Sequence, residues 1–302
     1  MHRVVVGLSG ASAGARSLAW GIAEAVATGA ELVVVHAGHE PGSPGDPPRP
    51  GMPWIGSTDL SRSATAPTGR GTEGRGPGRQ HHPASRARGS LSSLEMVDRA
   101  AASAVAAARR QRGEACVGIH VTPGPADDAL LRAAGPYDLI VIGPPGRVGW
   151  WARGSTTHQV TSRAPCPVVI VHERGAPPGA DAPVVVGCAP VRHGAPPRDG
   201  AALSYAFAYA AAHDVPVVAV RVVPGPAGPE DATDLAARVR PWQERYPRVP
   251  ARRMVLTGDP ADGLRRAGER STLLVVGRSS GPPGRVSRSL IGHACGPVAV
   301  VD

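Results

Sequence analysis

The sequence contains no lysine: all 33 of its basic residues are arginines. This absence excludes a Walker A phosphate-binding lysine, a Schiff-base lysine and a Ser-Lys catalytic dyad. Aromatic residues make up only 3% of the 302 residues, which argues against the stacking platforms that bind bases or sugars. Whole reaction classes are therefore excluded before any motif is considered.

Thiols and long apolar runs are also scarce. The four cysteines are widely spaced without a CxxC pair, and none of the 11 histidines forms an HxxxH or HExxH motif, so we expect neither a metal site nor a disulfide framework. No apolar run approaches 18 residues, and the chain opens without a charged n-region. We therefore expect a cytoplasmic protein that has no membrane contact.

Internal repetition is the most informative pattern in the sequence. RVVVGLSGAS at 3–12 is matched by PVVVGCAPVR at 183–192, and YDLIVIG, ending at Gly143, is matched by TLLVVG, ending at Gly277. Each half closes with an apolar strand after a proline, in APCPVVIV and in CGPVAVV. The chain length suits two domains, which we place at 1–174 and 183–302, joined by a linker at 175–182.

The two halves differ by one insertion. Gly7 and Gly143 are 136 residues apart, whereas Gly187 and Gly277 are only 90 apart. Residues 40–90 are rich in Pro, Gly, Ser and Arg and show no apolar periodicity. Such a segment cannot bury enough surface to offset its ordering entropy, so we expect a disordered insert at 40–90.

Strand and helix patterns alternate throughout the rest of the chain. Continuous Val/Ile runs between amphipathic segments predict an α/β fold whose parallel sheet is covered on both faces. Each half is expected to be a five-stranded doubly wound domain. Strands are predicted at 3–8, 31–37, 117–121, 138–143, 167–172, 183–188, 215–222, 251–256, 272–277 and 297–301. Helices are predicted at about 13–28, 92–112, 125–134, 155–163, 199–213, 229–245, 260–269 and 285–293.

The loop after the fourth strand carries the candidate binding residues. It begins at Gly143, passes Gly146 and reaches Gly154, Ser155 and Thr156 where the next helix starts. Ligands of open α/β sheets bind beyond the strand carboxyl ends, and free amides at a helix N-terminus favour phosphate. The same residues also fit a helix cap and a glycine turn that bind nothing. No GxGxxG follows strand one, and the loop is not a P-loop.

Taken together, these segments resemble the universal stress protein family in its tandem two-domain form. The resemblance implies two flavodoxin-like domains, with strands in the order 3-2-1-4-5, and in one subgroup it implies ATP binding without a P-loop. In that subgroup an acidic residue after strand one contacts the ribose, and its position corresponds to Ser9 here. A residue at the end of strand two contacts the adenine, and its position corresponds to Ala37. The phosphate loop maps to Gly143, Gly146 and Gly154, followed by Ser155.

Departures from the subgroup's pattern predict weak binding. Ser9 cannot supply a carboxylate, the loop is two residues short, and Pro144-Pro145 remove two amide donors. In the second half, Ala189 stands at the acidic position and Arg285 replaces the loop serine. We therefore expect the second half to bind no nucleotide. It would instead form an internal pseudo-dimer with the first half, in which the strands at 167–172 and 297–301 pair as in family dimers.

We interpret the other conspicuous residues as structural and not as functional. Trp150 and Trp151 lie inside the glycine loop and are expected to pack onto the sheet edge, and Cys166 is expected to be a buried hydrophobic residue. The net charge of +9 is diffuse and lacks aromatic interleaving, so we expect no specific nucleic-acid partner.

The sequence thus predicts a non-catalytic stress-response protein, not an enzyme, whose first domain binds ATP or another adenine nucleotide weakly. A homodimer of the tandem chain is a further expectation. Two alternatives stay open: a degenerate dimerisation scaffold that binds no nucleotide, and a slow ATP hydrolase that uses the same crevice.

Overall fold

The computed structural model describes residues 3–8, 14–38, 99–113, 116–144, 155–172, 179, 181–189, 199–278 and 282–302. The chain divides into two units: Met1–His39 together with Ala87–Asp302, and Glu40–Arg86. The second unit lies outside the described residues, as do the whole insert expected at 40–90 and most of the linker expected at 175–182. These two expectations and the domain boundaries stay predictions.

Strands and helices alternate in the first half, because runs of Val and Ile are separated by Ala-rich helical segments. The order is β1 (Arg3–Leu8), α1 (Gly14–Thr28), β2 (Glu31–Gly38), α2 (Arg99–Arg112), β3 (Val117–Pro123), α3 (Ala126–Ala133), β4 (Leu139–Ile142), α4 (Thr156–Arg163) and β5 (Val168–Ile170).

The second half repeats this order. It contains β6 (Val184–Gly187), α5 (Gly200–His213), β7 (Val217–Val223), α6 (Pro229–Arg245), β8 (Ala251–Thr257), α7 (Pro260–Gly268), β9 (Leu273–Gly277), α8 (Arg285–His293) and β10 (Val298–Val301). Most predicted bounds agree with these to within one or two residues. The predicted start of α2 at residue 92 precedes the described part of that helix.

The ten strands in the described part of the chain form one sheet, in the order β3-β2-β1-β4-β5-β10-β9-β6-β7-β8. Within each half the strands are parallel, and the predicted order 3-2-1-4-5 is confirmed in both. The halves meet at β5 and β10, which pair antiparallel as predicted, with Val169 opposite Ala299. Because the strands of one half run opposite to those of the other, the carboxyl ends of the two sets of strands point in opposite directions.

Among the described residues, four helices cover each face of the sheet. On one face α1, α2, α5 and α6 bury Leu18, Val105, Phe207 and Leu235 against the strands. On the other face α3, α4, α7 and α8 bury mostly aliphatic side chains, Leu130 and Leu290 among them. Both cores extend across the β5–β10 junction, so hydrophobic burial holds the two halves together along the whole sheet.

Candidate functional site

The first half contains the crevice expected of a doubly wound sheet. Strands β1 and β4 are parallel neighbours, with Val5 opposite Ile140. The helix after β1 packs on one face of the sheet, and the helix after β4 packs on the other. The chain therefore leaves these two neighbouring strands in opposite directions, and the space beyond their carboxyl ends is the usual ligand position in this architecture.

The N-terminus of α4 faces this end of the sheet. Ser155 is the N-cap, and its Oγ accepts a hydrogen bond from the amide of His158 at 3.2 Å. The helical ladder begins with the amide of Gln159, which donates to the carbonyl oxygen of Ser155 at 3.0 Å. The amides of Thr156 and Thr157 precede that ladder, so they belong to the first-turn donors that attract anions.

Four of the seven predicted site residues lie at this end of the first half. Gly143 follows β4 directly, Ser155 and Thr156 begin α4, and Ala37 lies near the end of β2, paired with Thr122 of β3. The other three, Ser9, Gly146 and Gly154, fall outside the described residues, as does the Trp150-Trp151 pair. The structure thus describes the strand ends and the helix N-terminus of the candidate site.

A histidine beside the crevice adds to the predicted set. His36 lies opposite Leu8 in the β1–β2 register and is buried, with 9% of its surface exposed. Its Nδ1 lies 3.2 Å from the carbonyl oxygen of Leu8, the last residue of β1. Donation from Nδ1 to that carbonyl fixes the ring across the two strand ends, so His36 shapes the wall of the crevice.

The second half holds an arginine in the same place. Gly187 pairs with Val220 as Gly7 pairs with Val35, so Arg221 takes in β7 the position that His36 takes in β2. The side chain of Arg221 is only 3% exposed and is paired with Asp234 of α6.

A second guanidinium extends this network. Arg238 of α6 is paired with Asp234 and with Asp199, which precedes α5 and is 3% exposed. Its Nη2 also donates to the carbonyl oxygen of Ala189 at 2.8 Å. Although burial of Asp234 opposes ionisation, the hydrogen bonds from Arg238 and Arg221 hold its pKa below the usual value.

This network distinguishes the crevice of the second half from that of the first half. The second half has two arginine side chains and their carboxylate partners around the strand-two end and the residue after strand one. The helix terminus differs too, because α8 has Gly284 as N-cap with no side-chain capping bond, and Arg285 lies exposed 3.8 Å from Asp259. Sequence reasoning identified Ala189 and Arg285 but missed Arg238, for which the i,i+4 spacing from Asp234 was a usable signal.

Three further observations concern the described part of the chain. It holds no group of three or more His, Cys, Asp or Glu side chains that could bind a metal ion. None of its helices combines the length and apolarity needed to cross a membrane. Cys166 is buried as predicted, and burial raises the pKa of its thiol to about 12, so it stays protonated.

Comparison with known proteins decides the family. The sequence profile of the universal stress protein family matches residues 1–172, more than half of the chain. This chain belongs to the universal stress protein family. Among curated proteins, universal stress protein Rv2005c of Mycobacterium tuberculosis is 33% identical over 173 residues, which cover 52% of this chain and 56% of that protein. The chain thus spans little more than half of the length of that relative.

A solved structure agrees with the fold. A universal stress protein from Archaeoglobus fulgidus DSM 4304 superposes with a TM-score of 0.60 at 14% identity, covering 99% of this chain and 95% of that chain. Another universal stress protein from Archaeoglobus fulgidus, solved in complex with dAMP, covers 40% of this chain and 98% of its own at 23% identity, with a TM-score of 0.32. The first of these matches shows that the tandem sheet is a known arrangement.

Proposed function

We propose that this universal stress protein is a non-catalytic cytoplasmic binding protein that takes an adenine nucleotide, ATP in the first instance, weakly and in its first half only. The proposal rests on the contrast between the crevices of the two halves. In the first half, the N-terminus of α4 begins at Ser155, at the end of the sheet where the chain leaves β1 and β4 in opposite directions. In the second half, Arg221 and Arg238 with their aspartates lie at the strand ends, and the N-terminus of α8 has no capping side chain.

The expected affinity is low for physical reasons. The loop between Gly146 and Ser155 is shorter than the family's phosphate loop, and Pro144-Pro145 supply no amide donors. Ser9 offers at most a hydroxyl to the ribose. Each lost buried hydrogen bond costs about 1–3 kcal/mol, so binding in the micromolar to millimolar range is expected.

The absence of catalysis follows from the side chains available. Phosphoryl transfer needs charge stabilisation at the γ-phosphate, and the chain has no lysine for that role. Nδ1 of His36 is engaged with the carbonyl oxygen of Leu8. The proposed role is therefore binding and signalling, with the second half as the structural partner; assembly of two chains into a homodimer remains a prediction.

Calorimetric titration of the full chain with ATP and AMP, combined with an assay for ADP and AMP release, tests this function. Saturable heat without turnover supports it. No heat at millimolar ATP would favour the degenerate scaffold. Turnover would favour the slow hydrolase, and His158 of α4, whose Nδ1 is buried without a partner among the described residues, would then be the first side chain to replace.

A matched pair of variants localises the site. Ser155→Asp keeps an excellent helix N-cap but sets a negative charge against the polyanion, so ATP affinity should fall about tenfold or more. Gly284→Asp adds the same charge at the N-cap of α8, where φ is −66° and aspartate is tolerated, and should leave ATP affinity unchanged. Equal losses in both variants would show that the effect is not local to the first half.

A further inference from the structure

Strand β8 is one of the two outer strands of the sheet. It pairs with β7 on one side, and no strand in the described part of the chain pairs with its other side. The amide of Val217 donates to the carbonyl oxygen of Pro250, and the amide of Gly258 donates to the carbonyl oxygen of Val223, each at 2.8 Å. Alternate residues of a parallel strand bond to the same neighbour, so the even-numbered residues of β8 bond to β7.

The odd-numbered residues of β8 direct their backbone groups outward. They are Ala251, Arg253, Val255 and Thr257. Within the described ranges, no strand receives the N–H and C=O groups of these residues. Unpaired groups of this kind can form a further ladder with an added strand. The outer edge of β8 therefore offers backbone hydrogen bonds to another chain.

The side chains of β8 leave this edge accessible. Arg252, Arg253 and Met254 are exposed, and 43% of the surface of Met254 reaches solvent. The other outer strand differs, because none of residues 117–122 in β3 is exposed. Of the two outer strands, β8 is therefore the one that a partner can approach, and Met254 gives it an apolar contact.

Positive charge is concentrated along this edge and in the turn before it. Four exposed arginines lie here, namely Arg245, Arg248, Arg252 and Arg253. None of the four forms an ion pair with a carboxylate in the described part of the chain. No acidic residue occurs at 245–258, and Oδ1 of Asp259, which follows, accepts hydrogen bonds from two amides at the start of α7. The charge of this edge is therefore not neutralised by its own neighbours.

An edge of this kind selects its partner by charge. Charged side chains on an outer strand normally oppose pairing with a further strand. Because the charges of β8 are all positive, they repel a basic strand and attract an acidic one. A second copy of β8 fits poorly, since pairing of two such strands sets arginines against arginines. Nucleic acid also fits poorly, because its backbone has no amide groups to match the outward N–H and C=O groups.

We propose that β8 binds an extended acidic peptide segment of another protein as an additional strand of the sheet. The peptide backbone pairs with the outward groups of Arg253 and Val255. Its carboxylates contact Arg252 on one face of the sheet and Arg253 on the other, and an apolar side chain packs beside Met254. Five strands lie between β4 and β8, so this site is independent of the nucleotide function proposed above.

A fluorescein-labelled peptide of alternating Glu and Val, as long as the seven-residue β8, is a suitable probe. Two control peptides accompany it: one has Lys in place of Glu, and the other keeps Glu but has proline at two central positions, which removes amide donors. Fluorescence anisotropy with the full chain should show saturable binding of the acidic peptide, weakened by added salt. Both controls should bind about tenfold more weakly or worse. The proposal is overturned if the acidic peptide does not saturate in the micromolar to millimolar range, or if either control binds equally well.

Charge reversal locates the binding. The double variant Arg252→Glu with Arg253→Glu should lose the acidic peptide and gain binding of the lysine peptide. The matched double variant Arg16→Glu with Arg132→Glu makes the same change in net charge at exposed positions of the first half, and should bind the acidic peptide within about twofold of the wild type. The milder pair Arg252→Gln with Arg253→Gln should weaken the acidic peptide about tenfold and guards against misfolding of the reversed strand. Unchanged binding in either folded β8 variant would refute the assignment.

The two other occupants are distinguished in the same assay. An oligothymidylate that binds as tightly as the acidic peptide and displaces it would show a nucleic-acid surface instead. Sedimentation of the chain alone should show no dimer that the acidic peptide dissociates. If such a dimer is found, the edge is occupied by a second copy, and the proposal is wrong.

Discussion

His172, just after β5 in the first half, reaches the last helix of the second half, where its Nε2 lies 2.8 Å from the carbonyl oxygen of Ile291. Its Nδ1 lies 2.9 Å from the carbonyl oxygen of Gly296. The reverse contact also exists, because Nη1 of Arg278 in the second half donates to the carbonyl oxygen of Thr161 in α4 at 2.8 Å. Each half thus caps the carboxyl end of the other half's last helix, where unpaired carbonyls carry partial negative charge.

The His172 contact makes stability depend on pH. Burial lowers the pKa of His172, although hydrogen bonding to the two carbonyl oxygens favours the charged ring. An unfolded histidine titrates near pH 6.5, so between that value and the lower folded pKa the unfolded chain binds more protons. The stability that neutral His172 provides should be present above pH 6.5 and be lost as the pH falls. Urea unfolding at pH 8, 7, 6 and 5 measures this loss.

A matched histidine pair isolates the contribution. His172→Gln should unfold with a flatter pH dependence than the wild type, because the titrating group is gone. His293→Gln, at an exposed residue of α8 whose charge is only a minor cause of the lowered pKa of His172, should keep most of the wild-type dependence. If the wild type gains stability relative to His172→Gln as the pH falls, the ring is charged in the folded state and the assigned direction is wrong.

The strand junction should be sensitive to small losses of volume. Val169 is fully buried opposite Ala299 at the centre of the antiparallel pair. Val169→Ala should lower the free energy of unfolding by about 2 kcal/mol, because it removes two buried methyl groups and leaves a cavity. Val26→Ala, at a side chain 53% exposed on α1, should change it by less than about 0.5 kcal/mol. Chemical denaturation measures both; equal losses would argue against a tightly packed junction.

Close packing of α1 on the sheet should depend on one glycine. A Cβ at Gly21 would overlap Cγ2 of Val6 in β1, whereas a Cβ at Gly200, the first residue of α5, would meet no atom within 4 Å. Gly21→Ala should therefore destabilise the fold by about 1–3 kcal/mol through overpacking. Gly200→Ala should stabilise it by about 0.4–1 kcal/mol, because alanine reduces the entropy of the unfolded chain. Thermal unfolding of the two variants should give shifts of opposite sign.

The buried ionic network of the second half should be costly to break. Arg238→Met would leave Asp199, which is 3% exposed, as an uncompensated charge, and a loss of about 3–5 kcal/mol is expected. The control two positions away, Arg240→Met, removes only an exposed pair with Glu244 and should cost less than about 1 kcal/mol. Comparable unfolding midpoints for both variants would contradict a structural role for the network.

Local sequence patterns were sufficient to predict the elements of the fold. Runs rich in β-branched residues, such as LIVI at 139–142 and VVVG at 184–187, are typical of buried strands between helices. The predicted bounds of α6 and α8 agree with the structure at both ends. The pairing of β5 with β10 was predicted from the family resemblance, because no local pattern specifies which strand edges meet.

Contacts between charged side chains that are far apart in the sequence could not be predicted. His213 and Glu24 are 189 positions apart, and Asp199 lies 39 positions before Arg238, so only the folded sheet brings either pair together. The candidate site was predicted in part for the same reason. Gly143, Ser155 and Thr156 follow from a strand end and a helix cap, and Ala37 follows from the family resemblance. His36 becomes a crevice residue only through the register that sets it opposite Leu8.

The β5–β10 junction joins segments of one polypeptide, so its formation is a unimolecular event. A tethered pairing has an effective concentration far above that of free subunits and does not weaken on dilution. A protein assembled from two separate copies must also keep both copies identical, whereas the tandem chain can change one copy alone. The arginine network around Arg221 is such a change, because the corresponding position of the first half holds His36 while the shared sheet stays continuous.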